Sequence, residues 1–318
     1  TEMWEHPAVQ DNLARLRSRG VHVVAPGVGR LAGGDFGPGR LAEPGDIVAS
    51  VSAVLLTLGQ PACAPVSSHQ SLAGRQVLVT AGGTREPIDP VRYLGNRSSG
   101  RQGYALAAEA RARGASVILV SAVPGAGRAG GGGRRGSEGG LLLPPEVEVV
   151  PVDTAEQMAN AVASHAPGAD VVIMAAAVAD FRPKAAFDHK LKKADGVPEL
   201  LFEPTPDILA ELGRTRRPAP DQLLVGFAAE TAGGDAAVLE ANALDKLRRK
   251  HLDLVVANDV SAPGVGFGYA TNAVLIVAAD GDSIAVPLGD KTAIAAAVLD
   301  AVVSRLSAPG PPEPRSSP

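Results

Sequence analysis

The sequence predicts an α/β fold, a mostly parallel, Rossmann-like sheet with helices on both faces. Three observations carry this. Short continuous apolar runs such as Val77-Leu78-Val79-Thr80 read as strands covered on both faces, not as half-exposed strands of alternating polarity. From Gly74 onward such runs alternate with helical patterns, and alternating β and α units build parallel sheets through crossover connections. Capping residues fall between them where a helix must start, most clearly at Thr154 and Gln157, which have the spacing of a capping box.

The elements follow in order. Val9–Arg19 has helical spacing, with Val9, Leu13 and Leu16 on one face. His22-Val23-Val24 reads as a short strand, Leu31–Arg40 as a glycine-rich flap and Pro44–Leu58 as a helix. Three such elements bury too little surface to be stable alone, so residues 1–58 read as the C-terminal remnant of a larger domain. Residues 59–73, rich in Pro, Ala, Ser and Gln, read as a linker, and residues 74–307 as the main domain. Within it, Val77–Thr80, Ser116–Val120, Glu146–Pro151, Asp170–Met174, Leu223–Phe227, Leu252–Ala257 and Ala273–Val277 are the predicted strands. Helices are expected at Gly103–Arg113, from Thr154 through Val162, at Pro206–Leu212 with its proline in the first turn, at Ala236–Lys250 and at Lys291–Leu306. Asp280-Gly281-Asp282 has the composition of a hairpin turn. The Pro- and Ser-rich tail 308–318 reads as disordered.

Composition narrows the function. Lys and Arg total 30 against 34 Asp and Glu, a net charge of −4, so no basic excess points to nucleic acid or an anionic membrane. Phosphate-binding groups must then be local clusters. Cys63 is the single cysteine, which excludes an internal disulfide and a multi-thiolate metal site and fits a reducing, cytoplasmic setting. No apolar run is long enough to cross a bilayer, and Thr1–Pro7 lacks the basic and apolar regions of a signal peptide. Gly125-Ala126-Gly127-Arg128-Ala129-Gly130 formally matches G-x-G-x-x-G, but it continues into more glycine and Arg134-Arg135. A dinucleotide fingerprint must open directly into a helix, so residues 125–140 read as a surface insertion. A P-loop is excluded because G-x-x-x-x-G-K-[ST] is missing.

The first strand of the main domain does not turn sharply into its helix. Ala81–Gly100 intervenes, and long structured segments at the carboxyl end of a parallel strand are usually functional. Gly82 and Gly83 permit close approach of a ligand. Ser98 or Ser99 is placed to cap the following helix, whose free N–H groups suit a phosphate.

The run Ala81-Gly82-Gly83-Thr84-Arg85-Glu86-Pro87-Ile88-Asp89-Pro90-Val91-Arg92-Tyr93, with Asn96-Arg97-Ser98-Ser99-Gly100, resembles phosphopantothenate–cysteine ligases. The resemblance recurs at Ala175–Asp180, Lys190–Lys193, Pro206–Ile208, Gly226–Thr231 and Ala257–Val260, so it covers about Gly74 to Leu306. In bacteria that enzyme is fused behind a flavin-dependent phosphopantothenoylcysteine decarboxylase with a flavodoxin-like fold. Residues 1–58 resemble the tail of that half, with Gly33 where many members have cysteine.

The resemblance implies a ligase that uses CTP as co-substrate with Mg²⁺, through an acyl-cytidylate. FMN is implied only for a longer protein holding the rest of the decarboxylase half. Phosphopantothenate and L-cysteine are the implied substrates, and a homodimer meeting near Ala176-Ala177 the implied assembly. Asn96 and Lys190 are the implied catalytic residues. Met174, Ala175, Ala176, Asp180, Lys190, Pro206, Asp207, Ile208, Leu209, Phe227, Lys246 and Lys250 match nucleotide positions. Asp180 would reach a ribose hydroxyl or the metal, and Phe227 would pack on the cytosine. Gly82, Gly83, Arg92, Asn96, Ser98, Ser99, Gly100, Ala176 and Ala177 match positions at the phosphopantothenate. Two other classes compete: a nicotinamide-dependent reductase, and a nucleotide-binding module without catalysis.

Overall fold

The computed structural model describes residues 2–19, 21–30, 36–42, 47, 50, 70–126, 135–136, 141–144, 146–192, 196, 198–217 and 222–306. The chain divides into two compact units, Thr1–Ser67 and Ser68–Pro318.

In the first unit, helices α1 (Glu2–Glu5) and α2 (Pro7–Ser18) are followed by strands β1 (Gly27–Arg30) and β2 (Phe36–Arg40). Pro7 sits in the first turn of α2, and the His6 ring accepts from the Ala8 N–H at 3.3 Å, which closes the helix start. His22-Val23-Val24 is irregular; the strand forms instead at Gly27–Arg30, where Phe36–Arg40 pairs with it antiparallel. A short strand persists only where a partner takes its backbone hydrogen bonds. The predicted helix Pro44–Leu58 lies outside the described residues except for Ile47 and Ser50, which are helical. Gly33, Cys63 and the tail 308–318 also lie outside them.

The second unit begins before Gly74: Leu72 is fully buried and its N–H donates to the Arg113 carbonyl at 3.0 Å. Its elements are β3 (Gln76–Ala81), β4 (Arg85–Asp89), β5 (Arg92–Gly95), α3 (Arg101–Ala112), β6 (Ser116–Ser121), β7 (Arg135–Gly136), β8 (Leu141–Leu142) and β9 (Glu148–Pro151). They continue as α4 (Ala155–His165), β10 (Val171–Met174), β11 (Phe181–Pro183), β12 (Phe202–Pro204), α5 (Ile208–Thr215), β13 (Leu223–Glu230), α6 (Ala236–Arg249), β14 (Leu254–Asp259), β15 (Thr271–Ala278), β16 (Ser283–Asp290) and α7 (Lys291–Leu306). An eight-stranded sheet runs β16-β15-β14-β13-β10-β3-β6-β9. Its pairs are parallel from β14 through β9, and β15 and β16 add an antiparallel edge.

Pleating explains the two-sided core. Val77 and Val79 face one side with α3 and α7, while Leu78 faces the other with α4, α5 and α6. Each fully buried Leu, Ile or Val contributes roughly 1.5–3 kcal/mol, so both faces must be covered. Local signals hold where they are self-contained. Thr154 caps α4 in a complete capping box with Gln157, and Gly281 takes φ +95° between β15 and β16.

Two expectations are corrected. The long segment after β3 contains an antiparallel ribbon, β4–β5, because Asp89 turns the chain by accepting from the Val91 and Arg92 N–H groups at 2.8 Å. Helix α5 begins at Ile208, not Pro206, since Asp207 is its cap and accepts from the Ala210 N–H at 3.1 Å. Within the insertion, Gly125-Ala126 is a turn, and β7 pairs antiparallel with β8; the rest of the glycine motif lies outside the described residues.

Candidate active site

The chain leaves β3 through α3, on one face of the sheet, and leaves β10 through α5, on the other. The two strands are neighbours, so a crevice opens between their carboxyl ends, the usual place for a ligand in such sheets. A cavity of about 520 Å³ lies there.

The floor of the crevice is stitched by side chains. Buried Thr80 accepts from the Ala176 N–H at 3.0 Å, and buried Thr84 accepts from the Ala179 N–H at 2.9 Å. The Ala177 N–H donates to the Gly82 carbonyl at 2.8 Å. Asn96 Nδ2 donates to the carbonyls of Ala177 and Val178 at 3.2 and 3.0 Å. Two carbonyl acceptors fix that amide's orientation, so Asn96 has its Oδ1, an acceptor, left to offer.

Gly82 and Gly83 do not line the cavity. A Cβ on Gly82 would stand 2.9 Å from the Val123 nitrogen, and one on Gly83 would stand 2.7 Å from the Asn96 carbonyl oxygen. The close approach they permit in this structure is of backbone to backbone. Neither Ser98 nor Ser99 caps α3: Gly100 is the cap, at φ +77°, with no side-chain hydrogen bond. Ser98 Oγ accepts from the Gly100 N–H at 3.4 Å, and Ser99 Oγ donates to the Phe267 carbonyl at 3.4 Å. Only a residue that tolerates positive φ fits there, and the first N–H groups of α3 are left without a side-chain acceptor.

Met174, Ala175, Ala176, Ala177, Asp180, Pro206, Asp207, Ile208, Leu209, Phe227, Lys246 and Lys250 all line the same cavity as Asn96, Ser98, Ser99 and Gly100. Lys246 and Lys250 project from one face of α6, as their spacing requires. Each has an acidic partner: Lys246 Nζ lies 3.1 Å from Glu230 Oε1, and Lys250 Nζ lies 2.8 Å from Asp207 Oδ1. Partial burial opposes the Asp207 charge, but the Lys250 ammonium and the Ala210 N–H outweigh it and hold this carboxyl below its ordinary range. The cap of α5 and the cation of α6 thus form one unit.

That unit has a mutational test. A Cβ on Gly213 would stand 1.9 Å from the Lys250 carbonyl oxygen, closer than any side-chain adjustment can relieve. Gly213→Ala is expected to destabilise the fold by roughly 1–3 kcal/mol and to displace Lys250. Chemical denaturation measures this; an unchanged midpoint contradicts it.

Lys190 and Arg92 lie outside the cavity wall. Lys190 is exposed, on a loop that the β4–β5 ribbon grips. Asp89 Oδ2 accepts from the Leu191 N–H at 3.3 Å and lies 3.1 Å from Arg92 Nε, while Arg92 also donates to the Leu191 carbonyl. Burial opposes the Asp89 charge; the Val91, Leu191 and Arg92 N–H groups and the Arg92 guanidinium outweigh it and hold the carboxyl below its ordinary range.

Sequence reasoning passed over Arg101, Gln102, Thr205, Asn258, Phe267, Asn272 and Lys291, which also line the cavity. Lys291 carried a usable signal. It opens a helix, where the dipole disfavours a cation, so it needs another reason to be there. Among the described residues no group of three or more His, Cys, Asp or Glu could hold a metal ion, and no helix is long and apolar enough to cross a membrane.

Comparisons with known proteins follow the same lines. The family described as DNA/pantothenate metabolism flavoprotein C-terminal domain matches residues 72–306, and the flavoprotein family matches residues 1–56. The coenzyme A biosynthesis bifunctional protein CoaBC of Mycobacterium tuberculosis (strain ATCC 25618 / H37Rv) is 46% identical over 313 residues, 96% of this chain and 69% of that protein. The crystal structure of the C-terminal domain of a coenzyme A biosynthesis bifunctional protein CoaBC is 38% identical, with a TM-score of 0.57 over 74% of this chain and 98% of that one. A Cab2 histidine variant in complex with phosphopantothenate-cysteine shares the fold at 20% identity and a TM-score of 0.51, covering 83% of this chain and 96% of that one.

Proposed function

This chain belongs to the DNA/pantothenate metabolism flavoprotein C-terminal domain family, and we propose that its main unit is the ligase that joins phosphopantothenate to L-cysteine in coenzyme A synthesis. One observation carries the assignment. Asn96, the Met174–Asp180 segment, Pro206–Leu209, Phe227 and the Lys246/Lys250 pair, far apart in sequence, line one cavity at the switch point of the sheet.

A carboxylate is a poor electrophile until one oxygen becomes a leaving group. In the proposed reaction the phosphopantothenate carboxylate attacks the α-phosphorus of CTP, forming an acyl-cytidylate and releasing pyrophosphate. The cysteine amine then attacks the acyl carbon, CMP leaves, and the amine proton is lost. Lys246 and Lys250 supply positive charge at the nucleotide end, and the Asp207–Leu209 segment that opens α5 supplies backbone N–H groups behind Pro206. Asn96 Oδ1 is suited to accept from the incoming amine. Asp180, an exposed carboxylate in the wall, serves a ribose hydroxyl or the Mg²⁺ that arrives with CTP and keeps most of its waters.

The reductase alternative is not favoured, because the cavity lies at the carboxyl ends of β3 and β10, and Gly125 and Ala126, the described part of the glycine motif, form a turn that does not line it. A homodimer is supported by the exposed apolar side chains Tyr93, Phe181, Leu201 and Phe202 near the short ribbons, since clusters of this kind mark contact surfaces. A cytoplasmic location and FMN in a longer chain complete the reading; residues 1–56 match the flavoprotein family.

The test is product analysis after mixing the chain with phosphopantothenate, L-cysteine, Mg²⁺ and CTP. Amide, CMP and pyrophosphate are expected in equal amounts, and a folded chain that makes none of them refutes the ligase. CTP should be preferred over ATP by at least about tenfold in kcat/KM, because a purine overfills a pocket bounded by Phe227. Equal turnover with the two nucleotides contradicts this.

A further inference from the structure

A second cavity, of about 850 Å³, lies between α4 and α5 and reaches the end of α6. Its floor is apolar: Val162 in α4, Ala166 at the cap of that helix, and Ile208 and Leu212 in α5 are all buried. Its wall carries Arg214, Arg216, Arg217, Arg249 and His251 against two acidic side chains, Asp207 and Glu211. A chain with a net charge of −4 has no general excess of cations, so this concentration is local. An apolar cleft of this size with a few convergent polar groups has the form of a small-molecule site.

Part of the basic cluster has a structural reason. Arg214 and Arg249 stand in the last turns of α5 and α6, where cations offset the helix dipole. Each pairs with an exposed carboxylate on its own helix, Glu211 and Asp245. Exposed pairs of this kind are worth little, so they yield to a better acceptor. Arg216 is partly buried and pairs with Asp253, which ties the end of α5 to the start of β14. Arg217 has no such reason. It lies past the helix, and no carboxylate stands within 4.0 Å of it among the described residues. One of its N–H groups donates to the Ala169 carbonyl at 2.8 Å, which leaves the rest of its planar fork for another acceptor. His251 takes φ +52°, the only positive φ outside glycine among the described residues. It follows a helix at the position that usually goes to glycine or asparagine. A side chain kept under such strain in a cavity wall points to use.

We propose that this groove binds an organic anion with an apolar body, the body on Val162, Ile208 and Leu212 and the anionic group at the basic wall, with Arg217 its first contact. A carboxylate, phosphate or sulfonate has the chemistry that a guanidinium recognises. Occupation is felt at the catalytic cavity, because Pro206, Asp207 and Ile208 line both and Asp207 holds Lys250 at 2.8 Å. The site stands apart from the ligase reading, and only its effect on turnover rests on it.

The test uses the full chain and 1-anilinonaphthalene-8-sulfonate, an apolar ring system with one anionic group, whose fluorescence rises on binding. Titration with CTP present keeps the dye from the catalytic cavity. One saturable site is expected, and N-phenyl-1-naphthylamine, the same rings without the sulfonate, should bind at least about tenfold more weakly. Ala163→Trp, which fills the groove from an exposed position on α4, should abolish dye binding and leave pyrophosphate release unchanged. Arg217→Gln should weaken the dye about five- to tenfold, and Arg217→Lys should recover part of the loss. Bound dye should change the CTP KM by at least about twofold in the unaltered chain and not in Ala163→Trp. Equal binding of the two probes reduces the groove to an apolar surface and overturns the proposal. So does dye binding that a folded Ala163→Trp chain retains, since the dye then sits elsewhere. Dye binding that falls as the chain associates with itself in sedimentation also overturns it, since a second copy then covers the groove. If Ala163→Trp does not fold, Arg217→Gln, at an exposed position, carries the comparison. A CTP KM indifferent to bound dye overturns the link to the catalytic cavity. If the unaltered chain releases no pyrophosphate, the ligase reading fails by itself, and the dye titrations still decide the groove.

Discussion

Asn96→Ala should still form acyl-cytidylate and release pyrophosphate, yet convert the intermediate to amide at least about a hundredfold more slowly. Both Asn96 N–H groups are engaged by the Ala177 and Val178 carbonyls, so the side chain has only an acceptor to present. The first step, attack of a carboxylate on phosphorus, has no use for an extra acceptor beside two anions. The second step does, because the cysteine amine must be held with its lone pair toward the acyl carbon. Removing the amide also frees two carbonyls on the segment that leads to Asp180, which is why the first step should slow by a few-fold and not remain untouched. Quenched reactions analysed by mass spectrometry should show the intermediate accumulating. Product at the normal rate would reduce Asn96 to a tether for Ala177 and Val178.

Lys190→Gln should act on the other step, lowering pyrophosphate release by about a hundredfold with the fold intact. Lys246 and Lys250 have part of their charge offset by Glu230 and Asp207. Lys190 has no acidic partner within 4.0 Å among the described residues, so its charge is available to a triphosphate. Its loop is not loose: Asp89 and Arg92 clamp Leu191 beside it. Lys190 stands outside the cavity wall in the free chain, so the effect requires the loop, or a second copy of the chain, to bring it to the nucleotide. Normal pyrophosphate release by the variant would return Lys190 to solvent and leave the first step to the cations on α6.

The fold was legible where the cause is local. Strands covered on both faces must be apolar along their whole length, and Val77–Thr80 or Val171–Met174 can be read as such in isolation. The Thr154–Gln157 box lies within one turn and needs nothing else. The start of α5 was misplaced by two residues because both Pro206 and Asp207 are good helix openers, and only the Ala210 N–H at 3.1 Å shows which one caps. The cap of α3 was misassigned because Ser98 and Ser99 have the right chemistry. The backbone, turning against Val123, admits only a left-handed Gly100.

The sequence by itself determined the order of the parallel strands and of the helices between them from Val77 onward, the capping box that starts α4, and the family that the ordered segments resemble. Each of these is written in residues close together along the chain. The tertiary structure alone decided that Gly82 and Gly83 pack against neighbouring backbone, that Lys246 and Lys250 are paired, and that Lys291 is buried without a counter-charge beside Arg101. Those facts depend on which strand lies next to which. A buried apolar strand carries no label naming its neighbour, so the meeting of α3 with α7 at one end of a cavity exists only once β3 and β10 have paired.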